Sequence, residues 1–376
     1  MALTGKAAVF IKAGEPFRIQ ELPVPQVEPG GILVKLTAAS ICGSDLHYWR
    51  GDGPPLLTGG SSPGPLITGH EMMGRVHTLG QGVTTDSLNR PLQEGDRVVF
   101  FYLFPCLRCY NCIRGELASC PHRRRFWLPL EQYPYCSGGY AEYFYLHPGH
   151  FVFKVPEELP DEAVAPVNCA LSQVTYGLHQ GGLRMGDTVV VQGAGGLGVN
   201  ACAVAKETGA HQVIVIDGQD NRLELARQCG ADVTINLNEL REPQERVARV
   251  RELTEGRGAD VVLEVVGFPQ AVPEGLDMLR PGGTYVEIGH ITPGSGVQVD
   301  FSRLVRNSTR ILAVLNYNPW VIPVALDFLV RIRDRYPLAK LVSHRFPLER
   351  INEAFQEAEW QGKAGGTAVT RAILTP

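Results

Sequence analysis

The sequence predicts an α/β protein of two domains: a β-rich, barrel-like unit with long loops, then a doubly wound parallel sheet. Three observations carry this. A glycine-rich turn, Gly193-Ala-Gly195-Gly196-Leu197-Gly198, sits between a strand-like and a helix-like run. Strands and helices alternate around that turn. Ahead of it four cysteines crowd into one run, Cys106, Cys109, Cys112 and Cys120, spaced C-x2-C-x2-C-x7-C. At 376 residues the chain also exceeds what one hydrophobic core usually covers.

Residues 1–170 read as mostly β. Gly31–Thr37, Met73–Leu79 and Arg97–Phe101 are short and rich in β-forming residues. Gly/Pro turns at Gly51–Pro55 and Gly59–Pro65 punctuate them. The cysteine run falls in one of the long loops. Residues 171–315 then alternate: strand Thr188–Gln192, a helix from Leu197, strand Gln212–Asp217, a helix through Leu223–Gln228, and strands Val233–Asn236, Asp260–Val266 and Thr284–Ile288. Several strands are continuous apolar runs, as a parallel sheet buried on both faces requires. Residues 316–376 hold helices at Val321–Arg333 and Leu348–Trp360 and a strand at Thr367–Leu374. They are too few for a third domain, so they are expected to return and complete the first.

Composition excludes several classes. Thirty-five basic against 39 acidic residues give a net charge of −4, so nothing points to nucleic acid. No apolar stretch approaches membrane-spanning length. The opening Met-Ala-Leu-Thr-Gly-Lys lacks the apolar core of a signal peptide, so a cytoplasmic location is expected. In a reducing compartment nine cysteines suggest metal ligands and buried thiols rather than disulfides. Four thiolates packed as tightly as Cys106–Cys120 repel one another unless a tetrahedral cation holds them, and zinc is the default for four sulfurs.

The G-x-G-x-x-G turn has the context a dinucleotide needs, strand before and helix after, so that a pyrophosphate can approach the helix N-terminus. Asp217 closes the next strand, about twenty residues on. Its carboxylate can accept from both adenosine ribose hydroxyls and would repel a 2′-phosphate, which favours NAD over NADP. Arg222 either flanks the adenosine or is a solvated helix arginine.

Further residues matter only together: Cys42-Gly-Ser44-Asp45-Leu-His47, Gly69-His70-Glu71, the four-cysteine run, the glycine turn and Thr370-Arg371-Ala-Ile-Leu-Thr. In this order, through nearly the whole chain, they resemble the zinc-dependent medium-chain alcohol dehydrogenase family. The resemblance implies a GroES-like catalytic domain built from both chain ends, a Rossmann domain binding NAD, and two zinc ions per chain. Cys42, His70 and Cys169 are the implied ligands of a catalytic zinc with one open position. Polyol dehydrogenases usually carry Glu-Pro where Cys169-Ala170 stands. Glu71 resembles a carboxylate behind the zinc, and Asp45 the acid that orients the ligand histidine. Ser44 and His47 resemble the proton relay from the alcohol, and Arg371 an arginine that reaches the pyrophosphate. Cys106, Cys109, Cys112 and Cys120 are the implied structural site.

The reaction implied is reversible hydride transfer between an alcohol (secondary, cyclic or primary) and NAD. A polyol or sugar dehydrogenase is the first alternative, and a non-catalytic zinc- and NAD-binding redox sensor the second. Zinc-free quinone reductases share the fold but lack both metal sites. Relatives are dimers or tetramers, so a homo-oligomer is expected. Tyr102, Trp49 and Tyr48 are pocket aromatics or core. The loop Arg123–Cys136 caps the pocket, binds an anionic group, or is a solvated basic turn, the last being preferred. Cys136, Cys202 and Cys229 read as packing thiols.

Overall fold

The structure, a computed structural model, describes residues 3–52, 65–124, 126–359 and 369–376. Most of the predicted Gly/Pro turns, Arg125, the helix end at Trp360 and the strand start at Thr367 lie outside these residues.

The first unit is built on a long antiparallel pair. Ile32–Ser40 runs against Glu71–Leu79, with register shifts at Leu33/Val34 and Leu36/Ala38. Such irregularities bend and coil a sheet, which suits a barrel-like wall. The sheet continues through Arg97–Phe100 to Val152–Lys154, and Tyr143–Leu146 pairs on the outer side of Ile32–Ser40. The other end of Ile32–Ser40 receives Ala372–Thr375, antiparallel, with Ile373 opposite Ser40. The chain's return to its first sheet is therefore a matter of backbone pairing. A smaller sheet of Arg18–Pro23, Thr4–Phe10 and Leu66–Ile67 packs alongside.

The second unit is a six-stranded parallel sheet. In spatial order its strands are Val233–Asn236, Gln212–Asp217, Thr188–Gln192, Ala259–Glu264, Leu279–Glu287 and Arg310–Ala313. The order reverses between Thr188–Gln192 and Ala259–Glu264, and a crevice at the carboxyl ends of the strands follows at such a switch point. All five residues of Thr188–Gln192 are buried, as both faces carry helices. The predicted strand Thr284–Ile288 begins earlier, at Leu279. Leu279 bridges to Ala259, and a bulge skips the Arg280-Pro-Gly-Gly turn before pairing resumes at Thr284.

Helix Ser172–Gln180 joins the units, and helix Val321–Ile332 packs on it. Pocket-side and rear apolar residues merge into one large core spanning both units. Among the described residues no helix is long and apolar enough to cross a membrane.

Candidate active site

A cleft of about 770 Å³ runs between the two units. One end is floored by the glycine turn and Asp217, the other by Cys42, His70 and Cys169.

Each ligand candidate arrives from a different element. Cys42 caps the N-terminus of helix Gly43–Arg50. The positive helix end favours a thiolate there. His70 follows Gly69, whose φ of +86° suits a glycine, and precedes strand Glu71–Leu79. Cys169 lies in a π-helical turn, Val167–Leu171, where Leu171 N–H reaches back to the Pro166 carbonyl at 3.2 Å. That widened turn rotates Cys169 toward the other two, a use often made of such turns at sites. Sulfur and nitrogen ligand atoms of Cys42, His70 and Cys169, with a Glu71 carboxylate oxygen, all lie within 4.8 Å of one another, and all four residues are buried.

The electrostatics suit a cation. The Cys169 thiol donating toward Cys42 holds Cys42 well below the usual thiol range, and that same contact with burial drives Cys169 well above it. Two sulfurs in so dry a site cannot both ionise without a positive partner, which is the chemistry of a metal cage. Asp45 orders the cage. Its Oδ2 accepts from the Cys42 N–H at 2.9 Å and the Tyr140 hydroxyl at 2.7 Å, and its Oδ1 lies 3.3 Å from His70 Nδ1. The other ring nitrogen is left for the metal position, as a carboxylate-oriented ligand requires.

Glu71 is paired with Arg371 through Oε2, and the Arg371 guanidinium also donates to Ser40 Oγ at 3.0 Å. Arg371 in turn lies across Gly196, where any side chain would collide with it. A side chain at Gly198 would meet the Gly193 carbonyl, so the turn closes only as glycine. Gly193, Gly195, Gly196 and Leu197 line the cleft, and helix Gly196–Thr208 opens beneath Arg371. Asp217 Oδ2 accepts from the Ala194 N–H at 2.7 Å and Oδ1 from the Gln219 N–H at 2.9 Å, which fixes the carboxylate under the turn. Arg222 also lines the cleft rather than solvent, with Nη2 3.5 Å from the Val369 carbonyl.

Ser44 and His47 line the same cleft on helix Gly43–Arg50. His47 Nδ1 lies 3.3 Å from Asp52 Oδ1. Burial, then Arg50, holds its imidazole below the ordinary histidine range, so it is neutral near pH 7 and able to take a proton.

Two expectations are corrected. Trp49 is absent from the described cleft lining; its ring packs 5.8 Å from Phe355 on the rear face. It lies two residues past His47, about 200° round the helix, so both cannot face one cleft. The Arg123–Cys136 loop is a solvated turn only in part: Arg124 and Glu131–Tyr133 are exposed, but Arg123, Phe126 and Trp127 line the cleft beside Tyr102. Tyr48 stands behind this group, edge-on to Trp127 at 5.2 Å. Gln173 went unread in the sequence: its Nε2 donates to the Leu315 carbonyl at 2.9 Å while its Oε1 lies 3.9 Å from Cys169 Sγ. No local motif signals it, since the carbonyls it holds, of Val314 and Leu315, are remote in sequence.

Cys106, Cys109, Cys112 and Cys120 form a second cage. The Cys109 sulfur is 3.5 Å from Cys112 and 3.8 Å from Cys120. The Arg108 N–H stabilises the Cys106 thiolate, lowering it to about 6, whereas desolvation and the neighbouring sulfurs push Cys112 up to about 12. Such divergence within one cluster is relieved by a cation. Cys136, Cys202 and Cys229 are buried apart from both cages.

Comparisons with known proteins bear on the family and the fold. Residues 28–157 match the alcohol dehydrogenase GroES-like domain family and residues 196–331 the zinc-binding dehydrogenase family. The chain is 35% identical to 5-exo-hydroxycamphor dehydrogenase of Pseudomonas putida over 93% of this chain and 94% of that one. It is 32% identical to erythritol/L-threitol dehydrogenase of Mycolicibacterium smegmatis, over 92% of each. Among solved structures, an alcohol dehydrogenase from Thermotoga maritima superposes with a TM-score of 0.90 at 32% identity, covering 100% of both chains.

Proposed function

The chain belongs to the zinc-dependent medium-chain alcohol dehydrogenase family, and from that premise we propose that it transfers hydride reversibly between an alcohol and NAD. The observation that carries the proposal is the convergence of Cys42, His70 and Cys169 in the cleft that also holds the glycine turn and Asp217. Those three residues would hold a zinc ion supplying Lewis acidity, and the glycine turn with Asp217 would hold the NAD that supplies the hydride acceptor.

The protein's own groups do the rest. Asp45 fixes the His70 ring. Ser44 takes the alcohol proton, and the relay, completed by the nicotinamide ribose, ends on the neutral His47 imidazole. Asp217 accepts from the adenosine ribose and disfavours a 2′-phosphate, Arg222 flanks that ribose, and Arg371 meets the pyrophosphate above Gly196. Glu71 holds Arg371 until the pyrophosphate competes for it. The Cys106–Cys120 cage holds a second zinc that braces its loop.

An exposed sheet edge supports a homodimer. Among the described residues strand Arg310–Ala313 pairs only on one side, Ile311 is 48% exposed, and the adjoining helix Phe301–Arg306 exposes Phe301 and Val305 by 71% and 76%. A second copy of this edge is the partner that such a pattern fits.

The test combines metal analysis with turnover. Two zinc ions per chain and NAD reduction with primary, secondary, cyclic or polyhydric alcohols are expected. One zinc per chain would sink the catalytic site. The erythritol/L-threitol relative favours polyol oxidation as a second reading, and the same alcohol panel decides it. Binding of NAD without turnover of any alcohol would leave the sensor reading.

A further inference from the structure

The corner Phe126–Trp127 is built as a wall, not a loop surface. Trp127 has φ 59°, a left-handed conformation that a bulky residue rarely adopts. It is held there by three hydrogen bonds. Its N–H donates to the Ser137 carbonyl at 2.9 Å, the next N–H, of Leu128, donates to Ser137 Oγ at 2.9 Å, and its indole N–H donates to the Gly69 carbonyl at 2.9 Å. Gly69 immediately precedes His70, so the indole is anchored to the segment that carries the metal ligand.

The rings form a continuous apolar surface round His70. Tyr102 and Trp127 stand 5.5 and 5.9 Å from the imidazole, and Phe126 bridges them at 5.1 and 4.9 Å. Offset and edge contacts at these separations are favourable and rigid. The polar groups nearby are turned on one another. The Tyr102 hydroxyl donates to Asn316 at 3.3 Å, and Gln173 donates to the Val314 and Leu315 carbonyls. A substrate with several hydroxyls would therefore bury them against ring faces, unmatched, which is costly. A rigid apolar body fills such a box with little lost freedom.

We propose that Phe126 and Trp127, with Tyr102, are specificity-determining residues that select alcohols whose carbinol carbon belongs to a bulky, rigid, apolar ring system. This rests on Cys42, His70 and Cys169 being the catalytic zinc site. Arg123 stands at the rim, with one bond to the Ala118 carbonyl at 3.3 Å, and carries no part of the proposal.

The test compares kcat/KM for a bicyclic terpene alcohol, 2-propanol, threitol and L-threonine in the zinc-loaded enzyme. The bicyclic alcohol is expected to exceed threitol by at least about 100-fold, since each unmatched hydroxyl and each lost ring contact multiplies the difference. Phe126→Ala is expected to lower the bicyclic-to-2-propanol ratio by roughly 10- to 100-fold, the worth of one buried aromatic face. Phe126→Leu, which keeps most of the volume, is expected to lower it less and serves if the alanine variant misfolds. Preference for threitol or L-threonine, or an unchanged ratio in a folded, zinc-loaded Phe126 variant, overturns the proposal and leaves the dehydrogenase reading intact. If the zinc-loaded enzyme oxidises none of the four, that reading fails instead. Calorimetric binding to the NADH-bound protein then judges the wall: tighter binding of the bicyclic alcohol than of threitol supports it, and the reverse overturns it.

Discussion

Replacing Asp217 by Asn tests the cofactor assignment. The side chain keeps its shape, and Oδ1 can still accept from the Gln219 N–H, now 2.9 Å away, but the amide nitrogen that replaces Oδ2 cannot accept from the Ala194 N–H, so the glycine turn loses that bond as well. The charge proposed to face the ribose is gone. A hydrogen bond to a charged group contributes about 1.5–3 kcal/mol, and a neutral amide retains about half of that. NAD should thus bind roughly 3- to 10-fold more weakly. For NADP the sign is opposite. A phosphate charge about 4 Å from a carboxylate is repelled by about 4 kcal/mol at an effective dielectric near 20, or about three decades in affinity. Solvent screening at the cleft mouth reduces this. The ratio of kcat/KM for NAD over NADP is therefore expected to fall about 10²- to 10³-fold. Arg222 lines the same cleft, and its Nε has no partner among the described residues. Adding Arg222→Met to Asp217→Asn is expected to remove part of the NADP gain. Initial rates with both cofactors on one alcohol, at one ionic strength, give the ratio; fluorescence titration with NADH and NADPH separates affinity from turnover. A ratio that moves less than about threefold would refute the ribose role.

Other substitutions probe the rest of the molecule. Cys169→Ser is expected to leave about one zinc per chain and to cut kcat/KM by more than about 100-fold; full zinc content with unchanged turnover would move the third ligand elsewhere. Cys120→Ser also leaves about one zinc per chain, but lowers the thermal midpoint by roughly 5–10 °C, with the cofactor ratio unmoved; an unshifted midpoint would deny the bracing role. Burial, and then the neighbouring Glu287, pushes Glu264 up to about 9. A raised carboxyl gives full stability below its ordinary value near 4.5 and loses it as pH climbs toward 9. Glu287→Gln removes the like charge, so its melting point should fall less than wild type between about pH 5.5 and about pH 8.5; parallel decline would contradict the pairing.

Much of the parallel sheet is legible in the sequence. Thr188–Gln192, Gln212–Asp217 and Val233–Asn236 form at the expected residues, because runs this short and this rich in valine, isoleucine and threonine favour strand over helix. Leu279–Glu287 is longer than read, because Pro281 and two glycines mask a strand that bulges there. The cages differ for a related reason. Cys106–Cys120 announces itself by spacing alone. Cys42, His70 and Cys169 are ordinary buried residues until the fold joins them, and only the family resemblance picked them out. The π-helical turn at Val167–Leu171 has no sequence signature, nor does the left-handed Trp127 that turns a basic-looking loop into a pocket wall. Both depend on partners far along the chain, Tyr317 donating to the Asn168 carbonyl and Gly69 accepting from Trp127.

Gln173 gives the molecule a thermodynamic property as well as a contact. It stands four residues from Cys169 and grips the carbonyls of Val314 and Leu315, just past the last strand of the cofactor sheet. One side chain, at the start of helix Ser172–Gln180, thus ties the metal cage to the sheet that carries the glycine turn. Whatever free energy one ligand spends or gains by shifting that helix, the other must register in equal measure. Zinc should bind more tightly when the dinucleotide is bound, and the dinucleotide should bind more weakly once zinc is gone, by one common factor.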